Sequence, residues 1–290
     1  MAGLLVLAFF LSRLTGDPAR LYLPENATLD MVAAFRAAHG YDQPVFVQFY
    51  HYLIDLLRLD MGMSIRWNAP AIDVVLAAYP FTLQLAGITV ALALIVAMTL
   101  GPLAAYWQGS LLDRALSLFS LAAASAPEFW IAIIAILILA LQLGWLPTSG
   151  TGGIQFWIMP VMVLMFNITG VITQVVRGTM ISTLTQPYVK AARAKGMPEQ
   201  RVVFVHALRN SLIAAITVAG DQTRGLINGA VVVETVFGWP GIGKLMIDSV
   251  LQRDFAVVQA AVLVTAAAIF LLNVLLDIAY AFLDPRIRLQ

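Results

Sequence analysis

No cysteine occurs in the 290 residues. Disulfides, thiolate nucleophiles and cysteine-ligated metal sites are excluded. Histidine is nearly as scarce: His39, His51 and His206 lie far apart and show no metal-ligand spacing. Asp, Glu, Lys and Arg make up 11% of the chain, against about 25% in a soluble domain. The formal net charge of +1 gives no sign of a nucleic-acid partner. There is no internal repeat and no low-complexity tract. What remains is apolar, 61% of all residues, and this predicts an all-α, polytopic membrane helical bundle.

A spanning helix needs about 20 mainly apolar residues. The stretches 81–107, 115–143, 156–176, 211–233 and 255–282 qualify as complete spans. Residues 1–14 are apolar but cover only about 21 Å of a bilayer core about 30 Å thick. They lack a basic leader and an Ala-x-Ala cleavage site, which argues against a signal peptide. They read as a truncated first transmembrane span, with a short interfacial helix as the alternative.

Lys and Arg gather in cytoplasmic loops. Residues 177–210 hold Arg177, Lys190, Arg193, Lys195, Arg201 and Arg209 against Glu199 alone. That segment, the tail with Arg286 and Arg288, and by alternation 108–114 are placed in the cytoplasm. Residues 15–80, 144–155 and 234–254 then fall outside, and 81–290 form the transmembrane core. The outer segment 15–80 is amphipathic rather than an independent domain. Thr28 can cap a helix over 29–39 that Gly40 ends, and Pro44 can open a second helix over 44–59.

The basic island Tyr188–Asn210 is built as a hairpin. Pro187 suits a first helical turn. Gly196 can end that helix in the left-handed conformation. Pro198 starts a second helix, with Glu199 near its positive end. Ala191, Ala192 and Ala194 leave a face that another protein can approach closely, with cations at its rim. A plain positive-inside loop is the alternative reading.

These residues carry a resemblance. Lys190-Ala191-Ala192, then Gly196, then His206-Ala207-Leu208, resembles the EAA signature of ABC-transporter permeases. Lys190 stands where the signature has Glu, and Arg209 where it has Pro. Both departures resemble the dipeptide/oligopeptide/nickel branch. So do Gly16-Asp17-Pro18-Ala19, Pro127-Glu128-Phe129-Trp130, Gly144-Trp145-Leu146-Pro147, Val233 to Phe237 with Pro240 to Gly243, and Asp284-Pro285-Arg286. The resemblance runs through nearly the whole chain in order. It implies six spans and a cytoplasmic coupling-helix hairpin within 177–210. The coupling residues it implies are Lys190, Ala191, Ala192, Arg193, Ala194, Lys195, Gly196, His206, Ala207, Leu208 and Arg209. It also implies a bacterial inner-membrane location, two ATP-binding subunits, a second permease in a heterodimer, and an extracytoplasmic solute-binding protein. Peptide, nickel-chelate and glutathione importers share these motifs, with di- or oligopeptides the expected cargo. No cofactor and no catalytic residue is implied for this chain.

Gly238-Trp-Pro-Gly-Ile-Gly243-Lys244 matches the phosphate-loop pattern after the β-branched run Val231–Val236. Leu245 stands where such a loop needs Ser or Thr for Mg²⁺. The segment is also expected outside, away from ATP. It reads instead as a tight outer turn with Trp239 at the membrane interface, and ATP hydrolysis falls to partner subunits.

Polar residues inside spans mark pathways. Thr217, Asp221, Arg224 and Asn228 share one helical face, and Asn167 and Gln174 share a face of the preceding span. One reading is a translocation pathway that meets the charged ends of a zwitterionic substrate. The other is a self-neutralised Asp221–Arg224 pair against a partner helix. Pro127 and Glu128 form a possible gate, or Glu128 bonds a neighbouring helix. Asn273 and Asp277 read as helix–helix contacts. From a different class, an ion- or proton-coupled secondary transporter using Asp221 explains the intramembrane charges but not the basic hairpin.

Overall fold

The computed structural model describes residues 27–38 and 40–283, with Gly3, Val6, Phe9, Phe10 and Leu23; the side chains of Asn210, Asn228, Gly229 and residues 280–283 are outside that description. Most of the expected first span, the Gly16–Ala19 motif, His39 and the tail from Asp284 lie outside the described residues. The helices are α1 (Leu29–Ala38), α2 (Val45–Leu57), α3 (Ala71–Tyr106), α4 (Leu111–Ser125), α5 (Glu128–Ala135), α6 (Gln155–Leu184), α7 (Pro187–Ala194), α8 (Glu199–Arg201), α9 (Leu208–Gly229), α10 (Val231–Val236), α11 (Ile242–Leu251) and α12 (Phe255–Leu283). Wider π-type turns at Ile136–Gln142 and Val202–Ala207 continue α5 and α8. Among the described residues the one extended pairing outside helices is the bridge between Met63 and Pro70.

Three helices, α3, α6 and α12, are long and apolar enough to cross a membrane unbroken. Counting α4 with α5, and α8 with α9, as broken spans brings the number to five. The third span, expected over 115–143 with a break at Pro127, is two helices. It bends by 102° between Ser125 and Glu128. Pro127 supplies the physical cause, because it has no N–H to continue the ladder. α3 begins at Ala71, not at Phe81. Ala71, Val75 and Tyr79 recur at helical spacing and are buried, and that packing offsets the hydrogen bond lost at Pro80. Its 36 residues extend about 54 Å, well beyond the bilayer core.

The chain divides into two compact units. The first comprises residues 1–80 and 244–268. Thr28 caps α1 through its Oγ1, which accepts the Met31 N–H at 3.4 Å. Gly40 follows with φ +69°, as its place after a helix requires. Asp254 holds this unit's long loop. Its carboxylate accepts the Ser64 hydroxyl at 2.5 Å and the Arg66 N–H at 3.4 Å.

The second unit comprises residues 81–243 and 269–290 and contains the main apolar core. α6 is its centre, packed against α4 on one flank and α9 on another. Gly170 makes the α4 contact possible. A Cβ there would lie 2.5 Å from the Ser120 carbonyl oxygen and 2.7 Å from the Ala124 nitrogen. Both are backbone atoms, so the helices meet this closely only because no side chain intervenes.

Candidate functional site

The basic island forms a helical hairpin. Pro187 opens α7 at its first turn. Gly196 closes it with φ +74°. The Gly196 N–H donates to Arg193 O at 2.9 Å, and the Met197 N–H to Ala192 O at 3.3 Å. That is the paired stop in which a left-handed glycine satisfies the last carbonyls. The Arg193 guanidinium then grips the Glu199 carboxylate, with Nη2 to Oε1 at 2.6 Å. Glu199 holds the Arg193 pKa above its ordinary value. The pair is too exposed to add more than about 1 kcal/mol, but it sets the angle at which the chain leaves α7.

α7 has two distinct faces. Val189 is fully buried and anchors it to the chain. Lys190, Ala191, Arg193, Ala194, Lys195 and Gly196 are exposed, and Ala192 is half-buried. The second part of the expected coupling set is divided. Ala207 is fully buried in the core, His206 and Leu208 are half-buried, and Arg209 is exposed.

The intramembrane stripe lies on α9. Arg224 Nη1 meets Asp221 Oδ1 at 3.5 Å, and the Asp221 side chain keeps 72% of its surface exposed. Arg224 Nε is buried without a hydrogen-bond partner. Thr217 on the same face is exposed and donates to Ile213 O at 2.9 Å. The Asn228 side chain lies outside the described residues. Gln174 on α6 is exposed, whereas Asn167 Nδ2 donates to Ala124 O at 2.7 Å. Asn167 therefore supplies a partner to a carbonyl left open where α4 stops. Glu128 begins α5 half-buried beside the bend, with Pro127 as the preceding cap residue.

The expectation for the glycine-rich segment needs correction. Val231–Val236 is helical. Trp239 is not at the membrane interface but buried at 1% exposure. It stacks edge-on against Trp157 at 4.4 Å, and its Nε1 donates to Phe81 O at 3.2 Å. Burying the indole inside protein, with its N–H satisfied, removes the need for the headgroup region. No phosphate cradle forms either. The Gly243 N–H points at Glu234 Oε2, 2.7 Å away, and Thr82 Oγ1 donates to Glu234 Oε1 at 2.5 Å. Glu234 is fully buried, so this loop's backbone donor is already taken by the chain's own carboxyl group.

One cluster escaped the sequence reading. Asp113 and Arg177 form a two-point ion pair, with Nε to Oδ1 at 2.6 Å and Nη2 to Oδ2 at 2.9 Å. Ser110 and Asp113 stand at capping spacing, a signal that finds the acid. Nothing local links it to Arg177, which had counted only as a loop cation.

The described residues thus form a helical membrane bundle with a basic hairpin between two spans. Residues 97–289 match the family described as the binding-protein-dependent transport system inner membrane component. The chain belongs to that family and is the membrane-spanning permease subunit of an ABC importer, a multi-pass protein of the bacterial inner membrane. The ion-coupled secondary transporter reading falls with that assignment. Over 284 residues it is 36% identical to the glutathione transport system permease protein GsiC of Escherichia coli strain K12, covering 98% of this chain and 93% of that one. The protein of the same description from Salmonella choleraesuis is 37% identical over the same shares. The fold is similar to inward-facing MetNI, a methionine ABC transporter, with a TM-score of 0.63 at 14% identity over 73% of this chain and 96% of that chain. An amino acid ABC transporter crystallised with histidines gives 0.53 at 17% identity, over 74% and 94%.

Proposed function

We propose that this permease imports small peptides, and that α7 with Gly196 is the seat of an ATP-binding subunit. The hairpin carries the proposal: a short helix anchored by buried Val189, presenting exposed Ala191 and Ala194 one turn apart and exposed Lys190 and Lys195 beside them. Small side chains let a partner's groove close over the helix, and the lysines meet carboxylates at its rim. Two ATP-binding subunits, a second unlike permease and an extracytoplasmic binding protein complete the assembly. ATP is hydrolysed in the partner subunits. ATP binding draws those subunits together, and α7 passes the movement to α6. The peptide class rests on the relatives named for glutathione, a tripeptide, and on the motifs of the dipeptide/oligopeptide branch.

The test is co-purification. With Ala191→Trp and Ala194→Trp together, the chain should still accumulate in the membrane, because both positions are exposed. Recovery of the ATP-binding subunit should fall about tenfold or more, as for a bulky group placed in an interface core. Undiminished recovery would remove α7 as the seat.

The α9 stripe is proposed to face the translocation pathway. An acid left 72% exposed in a spanning helix is costly against lipid and calls for water, substrate or a partner helix. Asp221 and Arg224 side by side suit the amino and carboxylate ends of a peptide. The paired Asp221→Ala, Arg224→Ala variant should assemble normally and lose uptake by about tenfold, the scale of a charged hydrogen-bonding contact. Normal uptake with altered assembly would make the pair a helix–helix contact instead.

A further inference from the structure

The Asp113 carboxylate collects four donors. Besides the two from Arg177 it accepts the Gly109 N–H at 2.9 Å and the Ser117 hydroxyl at 3.3 Å. Its own N–H donates to Ser110 Oγ at 3.2 Å. The residue is 3% exposed. Asp113 thus ties the turn between α3 and α4 to the first turn of α4, and Arg177 ties that assembly to α6. This is more than a helix cap needs. Ser110 and Gly109 already satisfy the cap, so the arginine fork adds only an attachment between two segments of chain.

The place of that attachment is informative. α6 runs without interruption to Leu184, and only Thr185 and Gln186 separate it from α7. Arg177 therefore sits about 10 Å along the helix axis from its end. A displacement of α7 that this two-residue link passes to Leu184 reaches Arg177 along unbroken helix. Further along, α4 and α6 touch through Gly170 and through Asn167 to Ala124 O. α4 then ends at the 102° bend before Glu128.

We infer that Asp113 and Arg177 are positioning residues for coupling, a joint that passes the movement of the α7 hairpin from α6 to α4 and the α3–α4 turn. The inference rests on α7 being the seat of the ATP-binding subunit. A guanidinium fork suits the task, since two parallel bonds resist rotation as well as separation. A single lysine contact would hold distance but not angle.

The experiment uses the complete transporter in proteoliposomes with its binding protein. The probe is whichever of radiolabelled dialanine, tetra-alanine and glutathione the wild type accumulates. Uptake and ATP hydrolysis are measured together for Arg177→Met, Arg177→Lys and Asp113→Asn. All three variants should retain the ATP-binding subunits and hydrolyse ATP. Uptake per ATP should fall about tenfold for Arg177→Met and less for Arg177→Lys, within the range by which mutations alter coupling between sites. An unchanged uptake per ATP overturns the inference, and so does loss of uptake in strict proportion to assembled complex. Failure of all three variants to assemble overturns it too, since a joint for movement must be separable from folding. A wild type that accumulates none of the probes sinks the peptide proposal instead. The joint is then read from stimulation of ATP hydrolysis by the binding protein, which the same variants should lose. An Ala191→Trp, Ala194→Trp permease that keeps its ATP-binding subunit sinks the α7 seat, and a joint for α7 movement falls with it.

Discussion

Replacing Glu234 with alanine should destabilise the folded permease by about 3–5 kcal/mol, the sum of orphaned donors and a new cavity. The side chain is fully buried and receives the Thr82 hydroxyl and the Gly243 N–H. Neither donor has water to turn to once the carboxylate is gone. Each orphaned donor costs about 1–3 kcal/mol, and the removed atoms leave space that the surroundings cannot close. The neighbouring backbone is close-packed. A Cβ at Gly243 would stand 2.7 Å from Val231 Cα and 2.8 Å from Glu234 Oε2. Glu234→Gln keeps the size and one acceptor, so it should cost about half as much. Thermal unfolding of the detergent-purified complex measures both. Equal midpoints for wild type and Glu234→Ala would show that the buried carboxylate is not holding the loop.

Gly170→Val should remove most folded permease from the membrane. The first carbon of any side chain would overlap the Ser120 carbonyl and the Ala124 nitrogen, at 2.5 and 2.7 Å. Backbone atoms of an intact helix cannot swing aside as a flexible side chain can. The whole of α4 must therefore retreat, losing Asn167 to Ala124 O and the edge-on contact of Phe119 with Phe166 at 5.5 Å. Overpacking of this kind costs about 3 kcal/mol or more. Size-exclusion chromatography of fluorescently tagged protein, normalised to total expression, reports the folded fraction. Gly170→Ala should retain more of it than Gly170→Val, because it adds one carbon rather than three. Equal recovery of wild type and Gly170→Val would mean that α4 and α6 do not meet at this glycine.

The form of the hairpin was legible in the sequence. The Pro187, Gly196 and Pro198 punctuation predicted the hairpin, and its stop has the expected left-handed glycine. The breaking effect of Pro127 was expected too, though not a turn of 102°. The start of α3 was missed because Pro80 reads as a boundary, while the burial of Ala71, Val75 and Tyr79 that overrides it exists only in the folded chain. Trp239 was misplaced for a similar reason. An indole near the end of a span fits an interface by composition, and only the approach of Trp157 makes it core.

The sequence by itself determined that this is a membrane bundle, which of its stretches are apolar, and that a small-residue basic hairpin interrupts them. Those properties follow from hydropathy and from backbone rules that act over a few residues. The tertiary structure alone decided the partners: Glu234 with Thr82, 152 positions away, and Asp113 with Arg177, 64 positions away. A carboxylate's partner depends on which segments packing brings within about 3 Å, and no local pattern in the chain encodes that distance.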